Sequence, residues 1–208
     1  MKGGQYHVKQ AYGCRCWAEP YKGDAAEGDD APLEEQSSQV VTYAAPDASP
    51  SWTWEDFVHH YYFGKGQPVT LDEIGHLQDI IDCARTHNQT AAGGGTIFNR
   101  VADQLLEAAR QKGEGSFLDY FQNGYEFRDF VWSLGGATVT ASFFVNVVEK
   151  GDFLIVTAEI EYTFTDMFTN PLDLPEGKSE YKGWDLPFSM PYPVIGTWST
   201  HLEAAIRK

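Results

Sequence analysis

The chain has 208 residues, of which 42% are hydrophobic and 14% aromatic, enough apolar surface to build a core without metals or disulfides and to exclude disorder throughout. Thirty acidic against fifteen basic side chains leave a formal charge of −15, a field that repels phosphate backbones and anionic headgroups, so nucleic acid is not an expected partner. Of the three cysteines only Cys14 and Cys16 are close in sequence, which gives no framework of paired disulfides.

Met1 to Gln10 carry Lys2 and Lys9 but no apolar run of signal-peptide length, and no stretch approaches the roughly 18 apolar residues of a spanning helix. The expectation is synthesis in a reducing cytoplasm without an integral membrane segment, with secretion by a route that needs no cleaved signal left open. Between Gly23 and Gly64 there is no Lys or Arg, while Asp24, Glu27, Asp29, Asp30, Glu34 and Glu35 crowd together. Such composition cannot bury enough surface to order itself, so residues 18 to 50 read as a solvated linker and 1 to 50 as a flexible acidic arm. The compact domain is expected over 51 to 208.

Thr53-Trp54-Glu55-Asp56 has helix-start spacing, and Phe57, Val58, Tyr61 and Tyr62 recur three and four apart until Gly64. Thr70-Leu71-Asp72-Glu73 is a capping box, predicting a second helix to about Arg85 with Leu71, Ile74, Leu77, Ile81 and Ala84 on its apolar face. Thr96 opens a third helix, with Ile97, Val101, Leu105 and Ala109 on one side and Gly113 as its stop, and Ser116 with Asp119 suggests a brief helical turn after it.

Beyond this helical layer the period changes to two. Val139, Ala141, Phe143, Val145 and Val147 alternate with polar residues, and so do Leu154, Val156, Ala158, Ile160, Tyr162 and Phe164. A hairpin over 137 to 165 with Lys150-Gly151 as its turn sets Val145 opposite Val156 and every apolar partner on one face. A Pro-, Gly- and Asp-rich loop spans about 170 to 191, and a last strand, Val194 to Ile206, carries Trp198. The fold class is therefore α+β, a helical layer packed on a C-terminal antiparallel sheet centred on the 137 to 165 hairpin.

Continuing the inward parity past Phe164 brings Asp166 to the apolar face, set by the same pairing against Gly135, where a carboxylate beside a notch acts as an acid or base. The plain alternative is that Asp166 caps a turn toward Asn170-Pro171. His201 on the last strand is the candidate partner and Tyr162 lines the same face, so these three are the catalytic candidates. Trp54, Tyr61 and Tyr62 are the binding candidates, since an aromatic cluster left partly exposed is a recognition surface, though core packing is the simpler account. His59 and His60 are adjacent, not four apart, Cys14 and Cys16 are too close for a zinc half-site, and Cys83 fits a small buried hydrophobe, so no metal is expected. The glycines before Thr96 lack the Lys of a phosphate-binding loop. No residue pattern names a cofactor.

Two segments, Phe57 to Gly66 followed by Pro68-Val69-Thr70-Leu71, and Tyr162-Thr163-Phe164-Thr165-Asp166-Met167-Phe168, resemble toxin domains used between competing bacteria and attached to secretion machinery, and more loosely the colicin M group. The resemblance covers about a third of the chain. That group carries an Asp-x-Tyr-Asp run followed by a His-Arg pair; here only Asp166 has a counterpart, so lipid-II cleavage is not implied. The resemblance implies an antibacterial effector acting on the cell envelope, with a cognate immunity protein or a secretion component as partner. The alternative expectation is a non-enzymatic binding module, such as an immunity or adaptor protein, whose acidity suits a basic partner.

Overall fold

The computed structural model describes residues 39–43, 50–89, 94–128, 131, 133–169 and 189–208. Five long or edge strands form an antiparallel sheet in the order β1 (Gln39–Tyr43), β6 (Tyr192–Arg207), β5 (Phe153–Phe168), β4 (Gly136–Lys150) and β3 (Gly115–Glu126). A sixth, β2 (Val69–Thr70), joins β6 in parallel beside β1. Helices α1 (Trp54–Phe63), α2 (Leu77–Thr86) and α3 (Ile97–Lys112) supply the other layer, so the α+β reading stands.

The helix ends follow from local chemistry. Asp56 Oδ2 accepts from both the backbone N–H (2.8 Å) and the hydroxyl (3.0 Å) of Thr53, which starts α1. Thr96 Oγ1 accepts from the Asn99 amide (3.1 Å) to start α3, and Gly113, at φ 71°, stops it with a conformation that a side chain would disfavour. The Thr70 box forms as expected, with Glu73 Oε2 bonded to the Thr70 amide and hydroxyl at 3.0 and 2.8 Å. It caps a turn and not a helix: Gly75 at φ 71° breaks the run, and α2 begins only at Leu77. The predicted face still holds, because Leu71, Ile74, Leu77, Ile81 and Ala84 are all buried, and Cys83 with them.

Three expectations need correction. Residues 115 to 126 form a twelve-residue strand paired with β4, where a helical turn was expected. The inward positions Asp119 and Asn123 interrupt the apolar alternation there and hide the period of two. The hairpin joins the expected strands face for face, but its register is displaced by two residues: Val145 lies opposite Ala158, and Val156 opposite Val147. The turn is Gly151-Asp152, with Gly151 at φ 61°, as a type II′ turn requires of its first central residue. A shift of two leaves every side chain on its original face, so Val145 and Val156 share the buried side. Finally, β1 falls inside the stretch read as linker and pairs with β6 along all five residues, so the sheet begins before Ser51.

The core lies between the helices and one face of the sheet. Tyr162 is stacked between Trp198 (centroids 5.1 Å apart, planes at 6°) and Phe98 of α3 (5.2 Å). A second aromatic group ties α1 to the end of the sheet, where Phe168 stacks on Phe57 (5.5 Å) and Tyr192 (5.1 Å), and the Tyr192 hydroxyl donates to the Phe57 carbonyl (3.1 Å). Gly196 leaves room for Leu71: a Cβ there would fall on that side chain. Arg85 of α2 donates to Thr42 Oγ1 (3.0 Å), fastening β1 to the helical layer.

Candidate functional site

Asp166 sits two residues before the end of β5, on the inward parity of the strand between buried Phe164 and buried Phe168. It is half-buried, within the strand and not in a turn beyond it. Its carboxylate accepts from the Met167 amide (2.7 Å), and the Gly135 amide lies near enough to favour its charged form. Burial pushes the Asp166 carboxyl above the usual carboxylate range, the two amides pull it back in part, and the nearby charge of Glu126 raises it again. The sequence placed Gly135 beside Asp166 by a register that does not occur. The two meet nevertheless, because Gly135 lies just before the first residue of β4.

Glu126 ends β3, and Arg128 follows it. Arg128 Nε is 3.8 Å from Glu126 Oε1, and the Arg128 backbone N–H donates to the same oxygen (3.1 Å). The Arg128 guanidinium lies so close to Gly135 that a Cβ there would be 3.1 Å from Nη2. Buried Gln89 pins this corner: Nε2 donates to the Glu126 carbonyl (2.8 Å) and Oε1 accepts from the Glu126 amide (3.1 Å), as a neighbouring strand would. Beside these groups opens a cleft of about 380 Å³, lined among others by Gln89, Tyr125, Glu126, Gly136 and Ala137.

Two carboxylates with different surroundings at the margin of a cleft can divide acid and base work, the one of raised affinity for its proton donating and the other accepting. The sequence pointed to Asp166 and Gly135 and missed Gln89, Glu126 and Arg128. The missing signal was β3 itself, since Glu126 reaches the site only as the last residue of a strand.

The other candidates are elsewhere. His201 is on β6 with its ring on the opposite face of the sheet, and Asp166 pairs with Val194, seven residues or roughly 23 Å along the strand from His201. An Asp166–His201 pair is excluded by that separation and by parity. His201 instead bonds Glu159 (2.6 Å) and Glu203 (3.1 Å). Burial alone would lower its affinity for a proton, but the hydrogen bonds and charges of the two carboxylates outweigh burial and raise it above the usual range.

Tyr162 does share the inward face with Asp166, but it is sealed between Phe98 and Trp198, and burial pushes its hydroxyl far above the normal tyrosine range. It is a packing residue. Of the aromatic binding candidates, Tyr61 is 2% exposed and has no surface to offer, while Trp54 and Tyr62 are half-buried against the core. Phe63, 68% exposed, is the outward-facing member of that helix. Cys14, Cys16 and Gly93 of the glycine run before Thr96 lie outside the described residues, while Gly94 and Gly95 have φ of 83° and 79°. Among the described residues no three His, Cys, Asp or Glu side chains gather in a way that could hold a metal ion, and no helix is long and apolar enough to cross a membrane. No family model matches this chain, and no curated protein or solved structure matches it either.

Proposed function

We propose that this chain is an antibacterial effector domain acting on the cell envelope as a hydrolase, with Asp166 as its acid–base carboxylate. The observation that supports the chemistry is a half-buried carboxylate, drawn toward its protonated form, within electrostatic reach of Glu126, which lines a cleft. In the protonated state Asp166 gives its proton to a leaving group, and Glu126 takes one from the attacking water. The setting, a toxin delivered by a secretion apparatus and countered by an immunity protein, rests on the resemblance of residues 57 to 71 and 162 to 168. Expression directed to the periplasm is expected to arrest growth, and Asp166→Asn, which keeps the shape and removes the titrating group, to abolish the effect while the protein stays folded. An Asp166→Asn variant as toxic as its parent refutes the assignment, and harmlessness in both cytoplasm and periplasm refutes the effector reading.

The outward face of the sheet favours a second reading, a module that binds a basic protein. Leu118 (75% exposed) lies directly opposite Phe144 (52% exposed), with Tyr120 and Val148 nearby and the exposed carboxylates Glu159 and Glu161 alongside on β5. Docking here would use the face and not the free edge of β3. Asp119 and Asn123 side chains already accept from the Tyr120 and Gly124 amides (2.8 Å each), and Gln104 donates to the Tyr120 carbonyl (3.0 Å). A photo-crosslinker at position 144 should capture a basic protein encoded beside this one, and Leu118→Asp with Phe144→Asp should prevent it. Unchanged capture by that double variant would rule the face out.

A further inference from the structure

A guanidinium out of water needs an acid or an acceptor for each of its N–H groups, since an unpaired buried charge is strongly destabilising. Arg100 of α3 is half-buried against the inward face of β3, its Cζ 5.7 Å from the centre of the Tyr125 ring and 6.0 Å from that of Phe121. Although the chain carries twice as many acidic as basic side chains, Arg100 forms no ion pair among the described residues. Its Nη1 is buried and has no hydrogen-bond partner among the described residues. The Tyr125 hydroxyl, on a residue 4% exposed, is likewise buried without a partner, and burial holds it in the protonated form that can donate.

The want of partners extends inward along the same layer. Among the described residues Trp198 Nε1 and Thr200 Oγ1 are also unpartnered; the Tyr162 hydroxyl approaches Thr200 without reaching hydrogen-bond geometry. Three of these four groups are N–H or phenolic O–H donors with nothing to donate to, so what the layer lacks is acceptors. Tyr125 also lines the cleft beside Glu126, which connects the Arg100 pair to the site described above. Phe121 and Tyr125, on which the guanidinium lies, give it a flat support, and its buried Nη1 lacks the acceptor that a planar or tetrahedral oxyanion would supply.

We propose that Arg100 and Tyr125 form an oxyanion subsite behind the Tyr125 wall of the cleft, which takes a ligand bearing a carboxylate or a phosphate. This rests on the cleft being the functional site, and it deepens that reading by making the substrate an anionic one. Arg100 binds through charge and a two-pronged hydrogen bond, Tyr125 adds a third donor, and Arg128 at the rim offsets the charge of Glu126 on the way in.

The test is thermal unfolding of the whole protein against inorganic phosphate and, separately, acetate, at ionic strength held constant with chloride. The expected result is a saturable rise in Tm with one or both anions, the effective one naming the ligand class. Arg100→Gln should weaken the apparent affinity about tenfold or more, and Tyr125→Phe, which only removes an unpartnered hydroxyl, should weaken it less. Absence of a rise with both anions, or an equal rise in Arg100→Gln and Tyr125→Phe, overturns the subsite. Asp166→Asn should keep the anion response; its toxicity reports on the acid–base chemistry alone, so the two ideas fail separately.

Discussion

On the inward side of β4 and β5, Val139, Phe143, Val156 and Phe164 are sealed from water, while on the outward side of the same two strands Phe144 is 52% and Val148 is 47% exposed. Residue type does not separate these groups. The difference is the cover: among the described residues α2 and α3 lie over one face only, and an aromatic side chain on the other meets no helix. The comparison teaches that an alternating pattern tells which side chains share a face, whereas burial depends on what lies across from that face.

The largest effect expected from this contrast is between two aromatic truncations. Trp198→Ala removes a ring 4% exposed and stacked on Tyr162, and should cost roughly 3–5 kcal/mol in denaturant unfolding. Phe144→Ala should stay within about 0.5 kcal/mol of the parent. Comparable losses at the two positions would mean that the outward face is covered in solution.

Most of the architecture could be read in advance where a strong period coincided with its punctuation. Thr96 and Gly113 bracket α3, and alternation alone sorted the faces of β4 and β5. Register was not legible, because Lys150-Gly151 and Gly151-Asp152 are both two-residue turns that preserve parity, and only the pairing of Lys150 with Phe153 in the folded sheet distinguishes them. β3 was hidden by its polar inward positions, and with it went Glu126. The placement of His201 beside Asp166 failed because it required knowing how far along β6 the two strands align; Val194, not His201, answers Asp166.

The two margins of the acidic arm sharpen the comparison between covered and uncovered chain. Removing residues 1 to 38 leaves all five β1–β6 pairs and should leave Tm unchanged. Removing 1 to 45 deletes β1, bares one side of β6 and takes away Thr42, the acceptor for Arg85, at a cost of about 1–3 kcal/mol and a correspondingly lower Tm. Identical melting of the two truncations would show that β1 adds nothing to the sheet.

The smallest effect belongs to the outward face and depends on pH. His201 has Glu159 directly across on β5 and Glu203 two residues on, each near a different ring nitrogen, and only the doubly protonated imidazolium can donate to both. Its folded proton affinity is raised above the usual value of 6.5, so the folded state holds the proton more tightly than the unfolded chain does. The resulting stabilisation is fully present below pH 6.5 and is lost as pH rises through the raised folded value. His201→Gln should therefore lower Tm most in mildly acidic buffer and least in alkaline buffer, and added salt should shrink the acidic difference, because both carboxylates face solvent. If the deficit is the same at every pH, or grows as pH rises, then the imidazolium is not what joins β5 to β6 on this face, and the ring serves only to cover the strands beneath it.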